Sequence, residues 1–265
     1  MRIETTSREF AKITGGKLIK SERPKTIIKN SREIIIFGDV IRKKELFLKI
    51  LDNFCENFEI NSTVKIFISP ICPTCPYVVE EVCSIPVKRV EIIDVTDYPE
   101  IAQNYNVMAT PTVVIDRIKL VGKVNRKEIL EWIEKGYDRK EYFAKLLKDG
   151  SAEDVFREII RDEDADVLIE LLTYRDFMVR LGAMVVVEEL AKKKPDLIIK
   201  IKDKIRMLLK HEDKRIRQDI AMLLGNIGDK SDKAFLKELL REGGDVEESA
   251  REAIEEIERK SNNQK

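Results

Sequence analysis

The apolar positions in the first half of the chain follow two different periods. Short β-branched runs predict four buried strands, at residues 64–69, 90–95, 112–115 and 119–121. Amphipathic stretches without breakers predict helices after the first, second and fourth strands, at residues 77–83, 99–105 and 126–135. The predicted order is therefore β-α-β-α-β-β-α, with the last two strands joined in a hairpin, which is typical of an α/β domain.

Beyond about residue 137 the pattern is helical to the end, and it repeats. Five positions recur at a period of about 37 residues, because Asp176, Val179, Arg180, Ala183 and Leu190 reappear as Asp213, Ile216, Arg217, Ile220 and Ile227. A shorter third copy begins at Asp245, and the helix pairs predict an α-solenoid. Residues 216–229 resemble the short HEAT-like repeat. We expect each recurring aspartate to cap its helix and to pair with the arginine four residues later.

A Cys-Pro-Thr-Cys motif, Cys72 to Cys75, stands where the first predicted strand turns into the first helix. At a helix N-terminus the unpaired N–H groups and the macrodipole stabilise a thiolate and lower the pKa of a cysteine. Two intervening residues hold both sulfurs at that end, close enough to bond. We expect Cys72, the outer residue, to be the nucleophile that attacks a substrate disulfide, and Cys75 to resolve the mixed disulfide.

This order of elements, with CxxC at the first junction and Thr110-Pro111 opening the third strand, resembles the thioredoxin/glutaredoxin fold over residues 64–136. Both motifs look like those of the C-terminal unit of archaeal protein disulfide oxidoreductases and of the N-terminal module of the alkyl hydroperoxide reductase flavoprotein subunit. The resemblance implies a cis peptide bond before Pro111. It also implies that Thr110 and Pro111 help to bind the substrate.

Both of those relatives carry two thioredoxin units in tandem, and the start of this chain matches part of a second unit. Phe37 to Lys43 matches Val121 to Lys127, and Pro24 to Ile28 matches Pro111 to Ile115. We therefore expect residues 1–60 to be a degenerate half unit with the order helix-strand-strand-helix. Such a half unit lacks the first strand and the CxxC-bearing helix, and it must dock on the complete unit to bury its sheet.

The predicted fold class is an α/β thioredoxin-like domain with a mixed sheet, preceded by this half unit and followed by an all-α HEAT-like α-solenoid. The β-branched runs and all four cysteines end before about residue 136, which marks the main boundary. The predicted segments are the half unit, the CxxC domain, the helical repeats and a disordered tail, at residues 1–60, 61–136, 137–260 and 261–265.

Composition restricts the partners and the location. Forty-nine basic and 49 acidic residues cancel, which gives no reason to expect nucleic acid or an anionic membrane as a partner. No apolar run approaches the roughly 20 residues of a membrane-spanning helix, and without an apolar signal-peptide core we expect a cytoplasmic protein. The charged fraction of 37%, mostly Lys, Glu and Arg, is typical of hyperthermophiles, in which cytosolic disulfides are common.

A CxxC has two other uses, and both stay open at the level of sequence. One is half of a zinc site, which needs four ligands, although Cys55 and Cys83 form no second CxxC and the single histidine, His211, lies in the helical part. The other is a structural disulfide without turnover. Cys55 and Cys83 lie in apolar helical contexts typical of small core residues, and a disulfide between them is a further possibility. We expect no metal and no cofactor besides the Cys72-Cys75 disulfide.

Two hypotheses about function follow. In the first, the protein is a thiol-disulfide oxidoreductase for protein disulfides whose HEAT-like array docks a protein partner. A separate reductase then supplies electrons, because the chain has no glycine-rich nucleotide motif. In the second, it is a non-enzymatic protein-binding scaffold whose thioredoxin-like part is structural or redox-sensing. The second gains support from Ile66, which stands where many thioredoxins have a buried strand acid, and from the large share of the chain given to repeats.

Overall fold

A computed structural model of the protein describes residues 1–52 and 58–263. The chain divides into two compact units, an α/β unit of Met1–Tyr137 and a helical unit of Asp138–Lys265. In the described ranges, no helix is both long and apolar enough to cross a bilayer.

The α/β unit begins with four strands that we call the N-terminal strand group. Its elements are β1 (Arg2–Thr5), α1 (Arg8–Thr14), β2 (Lys17–Leu18), β3 (Lys25–Lys29), β4 (Glu33–Phe37), a 3-10 turn (Val40–Lys43) and α2 (Lys44–Asp52). Helix α1 starts where the Ser7 hydroxyl accepts a hydrogen bond from the Phe10 N–H, and it ends at Gly15 in the left-handed conformation.

Four more strands form the CxxC strand group, in the order that the hydrophobic pattern predicts. The elements are β5 (Ile60–Ile68), α3 (Cys75–Cys83), β6 (Val87–Asp94), α4 (Pro99–Asn104), β7 (Thr112–Ile115), β8 (Ile118–Val121) and α5 (Arg126–Lys135). Asp116 takes a positive φ of 51° in the two-residue turn between β7 and β8, a conformation that aspartate tolerates better than most residues.

All eight strands belong to one mixed sheet in the order β2-β1-β3-β4-β6-β5-β7-β8. The two groups join where β4 pairs in parallel with β6, from Glu33 opposite Arg89 to Phe37 opposite Ile93. Each central strand has three consecutive buried residues, 34–36 of β4, 66–68 of β5 and 92–94 of β6, because both faces of the sheet are covered there. The fully buried side chain of Arg32 adds a second link, since its Nη1 donates to the carbonyl oxygen of Cys83 at 2.9 Å.

The N-terminal strand group contains more than the predicted half unit. Strand β1 is parallel to β2 and antiparallel to β3, which is antiparallel to β4. The CxxC group repeats this arrangement with β5, β6, β7 and β8. The first strand is therefore present, as β1, and α1 lies between β1 and β2, in the place of α3 rather than α4. The expectation of an absent first strand was wrong because β1 and β2, at four and two residues, are too short to show a period.

One hydrogen bond supports the internal match. The Gly38 N–H donates to the carbonyl oxygen of Pro24 at 3.0 Å, and the Gly122 N–H donates to that of Pro111 at 2.9 Å. The matched prolines and glycines thus occupy the same places in the two strand groups.

The helical unit consists of eight helices in the described chain, arranged as successive pairs. They are α6 (Arg139–Lys148), α7 (Ala152–Asp162), α8 (Val167–Leu172), α9 (Phe177–Lys193), α10 (Pro195–Met207), α11 (Lys214–Ile227), α12 (Lys233–Leu239) and α13 (Gly244–Asn263). The second helices of the pairs, α7, α9, α11 and α13, pack against one another in succession. The predicted architecture, an α/β domain with a mixed sheet followed by an array of helix pairs, is observed.

Two expectations for this unit need correction. Asp176 and Asp213 do cap α9 and α11, but Arg180 and Arg217 do not pair with them. Arg180 binds Asp219 of the next repeat, at 2.7 Å, and Arg217 binds Glu242. The cap carboxylates instead face their own helix N–H groups, where they also pair with Lys148 and Arg215 respectively.

The second correction concerns the C-terminus. Helix α13 continues to Asn263, and the Ser261 hydroxyl donates to the carbonyl oxygen of Ile257 at 2.8 Å. Residues 261–263 therefore extend a helix rather than a disordered tail, because no breaker interrupts the helical pattern after residue 260. The last two predicted tail residues lie outside the described ranges.

Candidate active site

The CxxC lies in the loop and first helical turn that follow β5. The chain leaves the sheet after Ile68, and the Cys72 N–H donates to the carbonyl oxygen of Ser69 at 3.2 Å. Cys75 is the first residue of α3, two residues earlier than the predicted start, and Pro76 occupies the first turn, where its missing N–H costs nothing. Cys72 therefore precedes the helix and Cys75 begins it.

The two cysteines differ in access to solvent. Their sulfurs are at bonding distance, and their Cα atoms are 5.5 Å apart. Cys75 is fully buried, whereas Cys72 is 8% exposed. A sulfur that approaches from outside can therefore reach Cys72 and not Cys75.

Backbone polar groups surround the Cys72 sulfur. The Cys75 N–H, at the start of α3, donates to Sγ of Cys72 at 3.1 Å. A hydrogen bond from a helix N-terminus favours the thiolate over the thiol once the disulfide is reduced. On the other side, the carbonyl oxygen of Thr110 lies 3.5 Å from the same sulfur. The structure thus brings Cys72, Cys75 and Thr110 together from two separate segments.

The segment that carries Thr110 and Pro111 is held by local hydrogen bonds. The Thr110–Pro111 peptide bond is cis. The buried hydroxyl of Thr112 donates to the carbonyl oxygen of Ala109 at 2.7 Å, and the Pro111 carbonyl accepts from Gly122. These contacts fix the loop between α4 and β7 beside the CxxC.

Two exposed apolar side chains, which the sequence did not single out as site residues, come from the segments that flank the sulfurs. Ile71 precedes Cys72 and is 92% exposed, and Met108 precedes Thr110 by two residues and is 82% exposed. Tyr77, in the first helical turns, lies under the Lys123 ammonium at 4.9 Å. Desolvation raises the pKa of the Tyr77 hydroxyl, and the Glu81 carboxylate raises it further. The sequence does contain a signal for Ile71 and Met108, because each is a large apolar residue in a predicted loop beside one of the two motifs.

The position of the strand acid is apolar in the structure as well. Ile66 is fully buried on β5. Asp94, at the end of the neighbouring strand β6, accepts from the Thr96 N–H at 2.9 Å and lies 3.7 Å from Arg42. That carboxylate is engaged in the turn after β6, so we assign no general base to the pair.

Comparison with known proteins places this site in a family. Over 78 residues, the chain is 37% identical to a thioredoxin from Methanocaldococcus jannaschii, a match that covers 27% of this chain and 92% of that protein. The chain belongs to the thioredoxin family. The thioredoxin domain model matches residues 62–134, and the HEAT repeat model matches residues 165–255. The predicted combination of the two is thereby confirmed.

Two solved structures are similar to part of this chain. A protein disulfide oxidoreductase from Aeropyrum pernix is 16% identical, with a TM-score of 0.36, over 50% of this chain and 84% of that one. The NTD_N/C domain of alkylhydroperoxide reductase AhpF from Enterococcus faecalis is also 16% identical, with a TM-score of 0.35, over 50% and 90%. The family assignment rests on the 37% identity and not on these likenesses.

The remaining cysteine of the thioredoxin domain that the structure describes lies in surroundings that disfavour its thiolate. Cys83 ends α3 with a free, buried thiol. Burial raises its pKa to about 12, although the Arg32 guanidinium acts in the opposite direction. Cys55, its suggested partner, lies outside the described residues. Within the described ranges no three side chains of His, Cys, Asp or Glu are grouped as metal ligands.

Proposed function

We propose that this protein is a thiol-disulfide oxidoreductase that acts on the disulfides of other proteins. In this proposal Cys72 is the nucleophile, Cys75 is the resolving cysteine, and Thr110 and Pro111 bind the substrate chain. The helical repeats dock a protein partner, and a separate reductase returns electrons to the cysteines.

The observation that carries the proposal is the difference between the two sulfurs. Only Cys72 has an exposed edge, and it is also the sulfur that receives the hydrogen bond from the first N–H of α3. Access and thiolate stabilisation therefore coincide in one residue. The family and the cysteine pair together indicate thiol-disulfide chemistry.

The reaction proceeds in two exchanges. The Cys72 thiolate of the reduced protein attacks one sulfur of the client disulfide, and a mixed disulfide forms as the first client thiolate leaves. The Cys75 thiolate then attacks Sγ of Cys72, which closes the Cys72–Cys75 bond and releases the second client thiolate. The client gains two electrons and the protein loses two, and the leaving thiolates take protons from solvent.

The rim of the site favours a polypeptide over a small charged disulfide. Ile71 and Met108 offer apolar surface on both segments that flank Cys72. The Thr110 backbone lies within reach of an extended chain bound across the sulfur. Most protein segments can make apolar contacts and pair through their backbone.

Reduction of insulin disulfides by dithiothreitol, followed by turbidity, tests the proposal. We expect the wild-type protein to accelerate the reaction, and we expect Cys72→Ser and Cys75→Ser each to abolish the acceleration. Cys83→Ala is the matched control, because it also removes a cysteine and should keep the wild-type rate. A wild-type rate equal to that of Cys72→Ser would show that the protein is not such an enzyme.

A second candidate function is a non-enzymatic scaffold, which is favoured by the buried Ile66 because this residue leaves the site without a strand acid. The reduction potential of the Cys72–Cys75 pair distinguishes the enzyme from the scaffold. We expect a value near those of cellular dithiol carriers. A value below about −300 mV would instead indicate an inert structural disulfide.

A further inference from the structure

Helix α9 of the helical unit exposes a line of apolar side chains. Met178, Leu181 and Val185 follow one another at helical spacing along one face, and each is at least 40% exposed. The other face of the same helix carries Val179, Ala183 and other fully buried residues, so α9 is apolar on both sides. A surface helix normally has a polar outer face, which makes this one unusual.

The apolar line continues onto the next repeat. Met222 of α11 occupies the place of Val185 in the repeat and is 47% exposed. One turn further along both helices, the Asn226 side-chain amide donates to Glu188 at 2.8 Å, so these two faces adjoin. We call Met178, Leu181, Val185 and Met222 the apolar strip.

Beyond Met222 the surface becomes acidic. A cavity of about 590 Å³ between α11 and α13 is lined by Met222 on one side and by three glutamates and one arginine on the other, Glu252, Glu255, Glu256 and Arg259. Glu256 pairs with Arg259, but within the described ranges Glu252 and Glu255 have no ion-pair partner.

The bottom of this cavity is backbone. A Cβ on Gly225 would stand 2.9 Å from Cα of Ala253, so α11 and α13 approach too closely for a side chain between them. The cavity is therefore a groove with small residues at its base, Met222 on one wall and carboxylates on the other.

We propose that the apolar strip and the Glu252–Glu255 pair together bind a protein segment that is apolar on one face and carries Lys or Arg beside it. This refines the docking role proposed above for the helical repeats and rests on it. Apolar side chains of the segment cover the strip, and its cations meet the two carboxylates, which gives charge complementarity across the groove.

Synthetic helical peptides test this directly by fluorescence anisotropy with the full-length protein. The probe has leucines at helical spacing with lysines between them, and the matched peptide has glutamate in place of each lysine. We expect the lysine peptide to bind more tightly than the glutamate peptide by about tenfold or more, with affinity that falls as salt increases.

Surface variants identify the binding site. Leu181→Glu with Met222→Glu should abolish binding of the lysine peptide. Ile199→Glu, at an exposed apolar position on α10 outside the strip, should leave binding unchanged. Glu252→Lys with Glu255→Lys should reverse the preference in favour of the glutamate peptide. All of these positions are exposed, so folding, checked by circular dichroism, is expected to persist.

Three outcomes would overturn the inference: no preference between the peptides, equal loss in Ile199→Glu, or an unchanged preference after charge reversal. The two proposals fail separately. Peptide binding should persist in Cys72→Ser, and insulin reduction should persist in Leu181→Glu with Met222→Glu, because each assay depends on a different unit.

Discussion

At the scale of single residues, the surroundings of each described cysteine decide what it can do. Cys72 and Cys83 are both 8% exposed, but the Cys72 sulfur accepts an N–H hydrogen bond whereas Cys83 is a free thiol whose pKa is raised by desolvation, and Cys75 is fully buried. Three chemically identical thiols therefore have three different expected reactivities. The differences arise from desolvation and from the helix N-terminus, not from neighbours in sequence.

We predict that Cys83 resists alkylation in the folded protein. With a pKa of about 12 its thiolate fraction at pH 8 is about a thousandfold below that of an ordinary cysteine. After mild reduction, iodoacetamide should label Cys72 rapidly and Cys83 only when urea is added, as read by peptide mass spectrometry. Rapid labelling of Cys83 without urea would contradict the burial of this thiol.

The same pKa predicts a pH dependence of stability. Because the folded protein disfavours the Cys83 thiolate, the contribution of this group is fully present below the unfolded pKa of about 8.5 and is lost as pH rises towards 12. Urea midpoints measured from pH 7 to alkaline pH should therefore fall more steeply for the wild type than for Cys83→Ala. Parallel slopes for the two proteins would show that Cys83 does not titrate abnormally.

At the scale of elements, two arginines at equivalent positions join consecutive helical repeats. Nε of Arg180 donates to Asp219 at 2.7 Å and its Nη1 donates to the carbonyl oxygen of Tyr174 at 3.1 Å, with the side chain almost fully buried. Arg217 makes the corresponding contacts with Glu242 and with the carbonyl oxygen of His211. Each arginine thus donates a hydrogen bond to a carbonyl oxygen just after one helix and binds a carboxylate of the next repeat.

Removal of Arg180 is expected to be costly. Arg180→Met leaves the half-buried Asp219 carboxylate and the Tyr174 carbonyl without this donor, which we expect to cost about 3 kcal/mol of unfolding free energy. The exposed pair of Arg157 and Glu153 provides the control, because Arg157→Met should change stability by less than about 1 kcal/mol. Urea unfolding followed by far-ultraviolet circular dichroism measures both. Equal losses of unfolding free energy in the two variants would mean that the Arg180–Asp219 contact stabilises the protein no more than an exposed ion pair does.

At the scale of the whole molecule, the N-terminal strand group is part of the thioredoxin domain's sheet. Strand β4 covers the edge of β6 along five residue pairs, so the apolar side chains of both strands share one core. A thioredoxin domain without residues 1–60 would expose that edge to water and to other chains.

A core substitution on β4 tests this dependence. Ile36, opposite Ile92, is nearly fully buried, and Ile36→Ala should destabilise the α/β unit by about 3 kcal/mol. Fluorescence of Trp132, the only tryptophan of the chain and part of the same unit, reports the transition. The exposed Ile13→Ala on α1 serves as the comparison and should shift the midpoint little. An unshifted midpoint in Ile36→Ala would mean that the strand group folds apart from the domain.

The sequence alone determined the succession of elements from β5 to α5, the family and the position of the cysteine pair. Hydrophobic periods and turn residues act locally, so α5 has the predicted bounds, Arg126–Lys135, and the hairpin after Thr112 has its turn at Asp116. Fold class and family follow from such local patterns together with two short motifs.

Only the tertiary structure decided which groups meet. Strand β1 forms because β3 pairs with it, and β2 forms at the edge because β1 pairs with β2. Segments of four and two residues are too short to predict such pairings from sequence. The approach of the Thr110 carbonyl to the Cys72 sulfur, the exposure of Ile71 and Met108, and the pairing of Arg180 with Asp219 have the same origin. Each depends on contacts between residues far apart in the chain, whereas periodicity reports only the near neighbours of each residue.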